Sequence, residues 1–385
     1  MTGKLLVVTP YLPPAGGGLE RYAVSMARAL EREYGWQLVF ASSGSPTPDV
    51  TAQQRDGATA YLLPTALTFS NTPVHLGWPR QLRQVIRAER PDVIYAHAPV
   101  PGMAECASYA AGDIPFVLTY HLGTLAKGRF PFDQANFLYE HVVLELLARR
   151  SAHIISSSQF VNTVHQGRFK SKSSIIPPGV DTTRFSGPEG PRPARILFVG
   201  DLGRGATHKG LPDLLGALAR VAGRHPGAEL LVAGDGDNRP ELERTAWALG
   251  VGRQVRFLGH LEGTALAEVY RSARMLVLPS HNDNFPLVVL EAMASRLAVV
   301  ATRVGAVPEL VDDRERGILV EPGDVGALAT ALELLLADPE LAQQLGTAGR
   351  ELVEAGYTWS VQAAKTERVL RQVTGAACGP PGAAR

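Results

Sequence analysis

Apolar residues along this chain fall into short unbroken runs more than into alternating patterns. LLVVTP occupies 5–10, QLVFAS 37–42, DVIYAH 92–97, FVLTYH 116–121 and HIISSS 153–158, and RILFVG, ELLVAG, VRFLG, MLVLPS and AVVAT repeat the pattern in the second half. Runs of this length, rich in Val, Ile and Leu, read as strands buried on both faces, which is the habit of parallel sheets. Amphipathic stretches such as GLERYAVSMARALERE lie between them and predict helices. Strand and helix alternating through both halves predict an α/β chain with two Rossmann-like, doubly wound parallel sheets. Such domains place a cleft at the carboxyl ends of their strands.

At 385 residues the chain exceeds one ordinary core, so two domains are expected. The Gly/Pro-rich stretch SGPEGPRPAR at 186–195 is the linker candidate. It sets an N-terminal domain over 1–187 and a C-terminal domain over 188–356. A helix over 357–374 is expected to pack back on the first domain, ahead of a disordered tail over 375–385.

A formal net charge of +1 supplies no field to gather nucleic acid, which is excluded as a partner. Arg149, Arg150, Arg168, Lys170 and Lys172 form the densest basic stretch, readable as a solvated face or as contact with an anionic membrane. Cys106 and Cys378 are the two cysteines, too few for a disulfide framework or a cysteine zinc site, and a reducing compartment fits. The chain reaches Pro10 too early for a signal peptide, and no apolar run approaches the roughly 18–20 residues of a membrane span. A cytoplasmic protein is expected, with peripheral contact at the inner face of a membrane through the N-terminal domain left open.

The most informative run is PSHNDNFPLVVLEAMA at 279–294. Asp283 and Glu291 bracket a loop of Asn284, Phe285 and Pro286 that passes into helix-forming sequence. Pro286 suits the first turn, and the amides near Leu287 and Val288 would then favour phosphate through the helix dipole. A capped core helix is the plainer reading. Gly16, Gly17 and Gly18 follow the first strand, where a backbone can approach a phosphate, or form a flexible loop. Dinucleotide binding is disfavoured, because GGGLER is not G-x-G-x-x-G and QLVFAS ends without an acidic residue. Lys209 opens a helix after a strand, where a cation can neutralise pyrophosphate. His121 ends a strand, at the edge where open sheets bind ligands. His97 ends DVIYAH and could face the same way. Gly234, Asp235 and Gly236 read as a tight strand-to-helix turn, and Glu309 as ordering the helix after it. No H-E-x-x-H and no Ser-His-Asp order is present. No metal and no cofactor beyond a co-substrate is expected.

The 283–294 run resembles the E-x(7)-E signature of the family-4, GT-B type, retaining glycosyltransferases, with Asp283 where the family usually has Glu. LLVVTPYLPPAGGGLERYAVSMARAL, VLTYH, IIPPGVDTTRF, RILFVG, HKGLPDLL, LLVAGDGD, VRFLGHL, GAVPELV and GILVEPGD follow in the family's order. The resemblance implies a retaining, metal-independent hexosyltransferase of GT-B fold. It moves a hexosyl or N-acetylhexosaminyl group from a nucleoside-diphosphate sugar, UDP- or GDP-linked, to a hydroxyl acceptor on a glycan, lipid or small molecule. By the same resemblance Glu291 binds ribose, Lys209 and the amides of Leu287 and Val288 hold the diphosphate, and Asp283 contacts the donor sugar. Gly17 and Gly18 approach the diphosphate, the backbone at Gly259 and His260 reads the base, and His121 positions sugar and acceptor. Many relatives carry Arg where this chain has Asp201, and Arg204 is the candidate substitute. With no well-placed second nucleophile, front-face displacement is favoured, the leaving phosphate oxygen taking the acceptor's proton. A nucleotide-sugar 2-epimerase of the same architecture and a non-catalytic binding protein are the rival readings.

Overall fold

A computed structural model describes residues 3–13, 15–69, 72–125, 132–169, 172–312 and 314–375. Cys378, Lys170 and the tail after 375 lie outside the described residues. The chain groups into two compact units, Met1–Gly179 with Trp359–Arg385, and Val180–Thr358.

The first unit holds β1 (Lys4–Val8), β2 (Gln37–Ser45), β3 (Thr51–Arg55), β4 (Ala58–Pro64), β5 (Leu67–Phe69), β6 (Thr72–Val74), β7 (Val93–Ala98), β8 (Phe116–Tyr120), β9 (His153–Ser156) and β10 (Ser173–Ile175). Its main sheet has the order β10-β9-β8-β7-β1-β2-β4-β3, and β5 pairs only with β6. Pairing is parallel throughout the main sheet except at its β3 edge, where the two-residue turn Asp56-Gly57, both at positive φ, folds β3 back on β4. Leu5, Leu6, Val7 and Val8 are fully buried, which is why this run carries no polar alternation. Helices cover both faces.

The final helix, Trp359–Thr374, belongs to this unit. Ala363, Val369 and Leu370 enter the core made by Tyr22, Met26 and Leu30 of helix Gly18–Tyr34. The Trp36 indole N–H donates to Glu367 Oε2 at 2.5 Å. Burying side chains such as Leu370 stabilises by roughly 1.5–3 kcal/mol each.

The second unit holds β11 (Arg195–Val199), β12 (Glu229–Ala233), β13 (Val255–Gly259), β14 (Met275–Leu278), β15 (Ala298–Thr302) and β16 (Ile318–Val320), in the order β13-β12-β11-β14-β15-β16, all parallel. One face is filled by helices Leu211–Val221 and Val325–Ala337, the other by Gly263–Ser272 and Leu287–Ala294.

The expected linker at 186–195 is part of the second unit's body. Arg192 is buried, and its guanidinium donates to the carbonyls of Ala273 (3.0 Å), Ser295 (2.6 Å) and Pro188 (3.2 Å). Three carbonyl acceptors make up for the lost hydration of the cation, so a Gly/Pro-rich stretch that reads as a spacer is pinned. The unit boundary accordingly falls at Gly179/Val180 and not at 187/188, with Val180 N–H donating to Tyr357 O at 2.8 Å.

Candidate functional site

In the second unit the chain moves from β11 outward to β12 and β13, then returns to β14 and moves the other way. The strand order therefore reverses between β11 and β14, the place where open α/β sheets bind ligands. Two loops leave that point. One covers 200–210 and ends in the helical turn Arg204–Lys209; the other covers 279–286 and leads into helix Leu287–Ala294.

These loops are tied together. His281 N–H donates to His208 O at 2.7 Å, and Lys209 Nζ donates to Asp283 Oδ2 at 2.8 Å. Gly210, at φ +71°, permits the approach, since a Cβ there would lie 2.0 Å from Pro279 O. A third loop, after β15, holds the other side. Ala306 N–H donates to Asn284 O at 2.9 Å, and a Cβ at Gly305 would lie 1.9 Å from Asp283 O. The Asp283 peptide is thus fixed by backbone contacts, and its carboxylate is aimed by Lys209. An ammonium has three donors, and the pair uses one of them.

Helix Leu287–Ala294 starts one residue later than Pro286 would imply as a first-turn residue. Pro286 is its N-cap, with ψ 110°, and its carbonyl accepts from Val289 N–H at 3.1 Å. An extended ψ takes Pro286 out of the helical region while leaving its carbonyl for the first turn. No side chain caps this end, so the dipole and first amides at Leu287 and Val288 remain for an anion. Glu291 follows Leu287 by four residues and lies on its face of the helix. It is 8% exposed, and the Tyr270 hydroxyl donates to its Oε2 at 2.7 Å.

Other expected donor residues stand differently. Arg204 does not turn to Lys209: its guanidinium is exposed and lies 3.9 Å from Asp237 Oδ2, while its backbone N–H donates to Asp237 Oδ1. Asp201 caps its own loop, accepting from Gly203 N–H at 2.8 Å. Gly259 gives its carbonyl to Gly234 N–H at 2.8 Å, and the exposed His260 ring faces Glu262 at 3.1 Å. Gly234 and Gly236 form the tight turn, close against Gly200 O and Gly203 N. Phe285 packs at the edge of the apolar core, its ring 6.4 Å from that of Tyr357.

In the first unit the order reverses between β1 and β7. Gly17 and Gly18 begin helix Gly18–Tyr34 there, but the Gly17 N–H donates to Glu20 Oε2 at 2.7 Å. The helix's own carboxylate occupies the anion position at that amide, and burial raises its pKa. His121 follows β8, with its N–H on Ala98 O at 3.1 Å. Its Nε2 lies 3.2 Å from Nδ1 of His97, at the end of β7, and its ring meets the edge of Tyr22 at 4.8 Å. Burial lowers both histidine pKa values, that of His121 to about 3. Both imidazoles are neutral at pH 7.

Sequence reasoning did not find Tyr270 as the partner of Glu291, the clamps at Gly210 and Gly305, or the pairing of His97 with His121.

Two parallel-sheet units, each with polar groups at its strand reversal, are the make-up of the GT-B glycosyltransferase fold. Residues 16–184 match the model of Glycosyltransferase Family 4, and residues 180–352 that of Glycosyl transferases group 1. A glycogen synthase of Mycobacterium tuberculosis H37Rv is 30% identical over 391 residues, covering 95% of this chain and 93% of its own. Sucrose-phosphate synthase from Thermosynechococcus elongatus superposes with a TM-score of 0.78 at 22% identity, over 97% of this chain and 99% of that one. Anabaena HepE in complex with UDP and glucose gives 0.76 at 19% identity, over 96% and 100%. The chain belongs to the group 1 glycosyltransferases of family 4, and it is a glycosyltransferase enzyme.

Proposed function

We propose that this enzyme transfers a hexosyl or N-acetylhexosaminyl group from a nucleoside-diphosphate sugar to a hydroxyl acceptor, with retention at the anomeric carbon and without a metal. The observation that carries the reading is the Lys209–Asp283 pair at 2.8 Å, beside an uncapped helix start on whose face Glu291 lies four residues after Leu287. A cation and helix amides suit a diphosphate, one carboxylate suits a sugar's hydroxyls, and a second, held by Tyr270, suits a ribose. The UDP and glucose bound by Anabaena HepE support UDP-glucose as the first donor to try. Charge developing on the leaving diphosphate would be stabilised by Lys209 and the amides of Leu287 and Val288, and the leaving oxygen would take the acceptor's proton.

Incubation with UDP-glucose, UDP-N-acetylglucosamine and GDP-mannose, with and without acceptor hydroxyls, tests the reading by nucleoside-diphosphate release and product anomer. An inverted product sinks retention. Epimerised nucleotide sugar formed without acceptor returns the 2-epimerase reading.

A cytoplasmic enzyme with peripheral membrane contact is part of the proposal. Among the described residues no helix is long and apolar enough to cross a membrane. Phe137, Leu138, Val142 and Leu146 are exposed on the segment that ends in Arg149 and Arg150, a pairing of apolar and cationic side chains that suits an anionic bilayer surface. Cosedimentation with vesicles containing phosphatidylglycerol, lost in Leu146→Glu, is expected; equal recovery with neutral vesicles or none removes this part.

A further inference from the structure

β7 and β8 are parallel neighbours in register, His97 opposite Thr119 and Ala98 opposite Tyr120, so His97 and His121 emerge at the same edge. His97 is fully buried among aromatic rings, with Tyr95 at 4.5 Å and Tyr22 at 5.7 Å. Its ring and that of His121 lie nearly parallel, 23° apart, and face through Nδ1 and Nε2 at 3.2 Å. The other nitrogen of His97, Nε2, is buried without a hydrogen-bond partner.

A neutral imidazole carries one N–H and one lone pair, so this arrangement permits two states. With the proton on His97 Nε2, a buried N–H is left without an acceptor. With the proton on His97 Nδ1, that N–H is used and only a lone pair is left bare. Orphaned buried N–H groups are the rarer and costlier of the two. The second state makes His121 Nε2 the acceptor and moves the His121 proton to Nδ1, on a ring that is only half-buried.

We propose that His97 is a positioning residue: it donates Nδ1–H to His121 Nε2 and so fixes His121 as the Nδ1–H tautomer, which meets the reacting sugar or acceptor as a hydrogen-bond donor. The inference rests on the transferase reading for what His121 meets, and not for which nitrogen carries the proton. It has a chemical consequence. The lone pair of His121 is engaged, so His121 cannot take the acceptor's proton, and that proton must pass to the leaving phosphate oxygen.

Long-range proton–nitrogen correlation spectra of the ¹⁵N-histidine-labelled full chain read each tautomer directly, with His121→Gln and His97→Asn providing assignments. Wild type should show a protonated Nδ1 and an unprotonated Nε2 for His121. Asn at 97 places an amide where Nδ1 stood and should keep both this pattern and turnover near wild type. His97→Leu should release the tautomer and lower turnover by about tenfold to a hundredfold, with affinity for UDP unchanged. A wild-type spectrum with His121 protonated on Nε2 overturns the inference, as does an unaltered His121 pattern in folded His97→Leu. Because the spectra need no substrate, finding no turnover with any nucleotide sugar would sink the transferase reading while the tautomer is still decided.

Discussion

Tyr270 donates its phenolic proton to Glu291 at 2.7 Å from a fully buried position, its ring edge-on to Phe185 at 5.3 Å. The helix alone sets where Glu291 stands; the tyrosine sets how its carboxylate is turned. Glu291→Ala should weaken the bare nucleoside diphosphate by about 1.5–3 kcal/mol, and Tyr270→Phe by about 1 kcal/mol. In calorimetry the double variant should lose less than the sum of the two. Full affinity in folded Glu291→Ala would reduce Glu291 to a helix residue.

Asp283 and Lys209 should separate in a way their ion pair conceals. Lys209→Ala removes the cation proposed for the diphosphate and should lower affinity for it. Asp283→Asn should leave that affinity nearly unchanged and lower turnover by about a hundredfold, if misplacement of the sugar is the cause. Asp283→Glu restores the carboxylate usual in the family and should keep measurable turnover. Normal turnover of Asp283→Ala with every donor would remove it from the site.

Chelation should leave activity intact, because Lys209 and the amides of Leu287 and Val288 are proposed to balance the diphosphate. Rates measured before and after EDTA decide this. Loss on chelation with recovery on adding magnesium would defeat it.

Acid should destabilise the first unit through its histidines. A histidine whose folded pKa lies below its unfolded value of about 6.5 binds fewer protons when folded, so stability rises with pH. The contribution is complete above about 6.5 and is lost as pH falls through that value toward the folded pKa, about 3 for His121. Each such histidine can add a slope of up to about 1.4 kcal/mol per pH unit. Glu20 and Glu105, with pKa values raised by burial, act in the opposite sense. They cancel when His121→Asn is compared with wild type, and the variant should show the shallower slope in denaturant titrations between pH 6.5 and about 5. Parallel slopes would contradict the lowered pKa of His121.

Gly305→Ala should be more damaging than Gly250→Ala. Both glycines have positive φ, +50° and +78°, so both alanines carry backbone strain of about 1 kcal/mol. Only at Gly305 would the added methyl meet a backbone oxygen, that of Asp283, whereas nothing lies within 4 Å at Gly250. Thermal unfolding should show the larger drop for Gly305→Ala, with turnover falling too because the Asp283 loop moves. Equal drops would mean the third loop does not clamp Asp283.

The strands were legible because parallel strands buried on both faces leave unbroken Val, Ile and Leu runs. β3, β4, β5, β6, β10 and β16 were not: the last four are only three residues long, and β3, TAQQR, is a polar edge strand, although the Asp-Gly pair at 56–57 marks its hairpin with β4. Asp283 and Glu291 were legible together because one loop and one helix carry both. The partners were not. Lys209 reaches Asp283 over 74 positions and Tyr270 reaches Glu291 over 21, distances that only strand order closes. SGPEGPRPAR has the composition of a spacer, and nothing local reveals that Arg192 will find three carbonyls.

The helix Trp359–Thr374 gives the chain an order of assembly. Val180–Thr358 is continuous, so every residue of the second unit is polymerised before the last helix of the first unit begins. The first unit emerges earliest yet finishes last, with Met26, Leu30 and Trp36 waiting for Ala363, Leu370 and Glu367. A nascent or truncated chain ending at Thr358 would expose that apolar face of helix Gly18–Tyr34, and such surface is what chaperones hold and aggregates grow from.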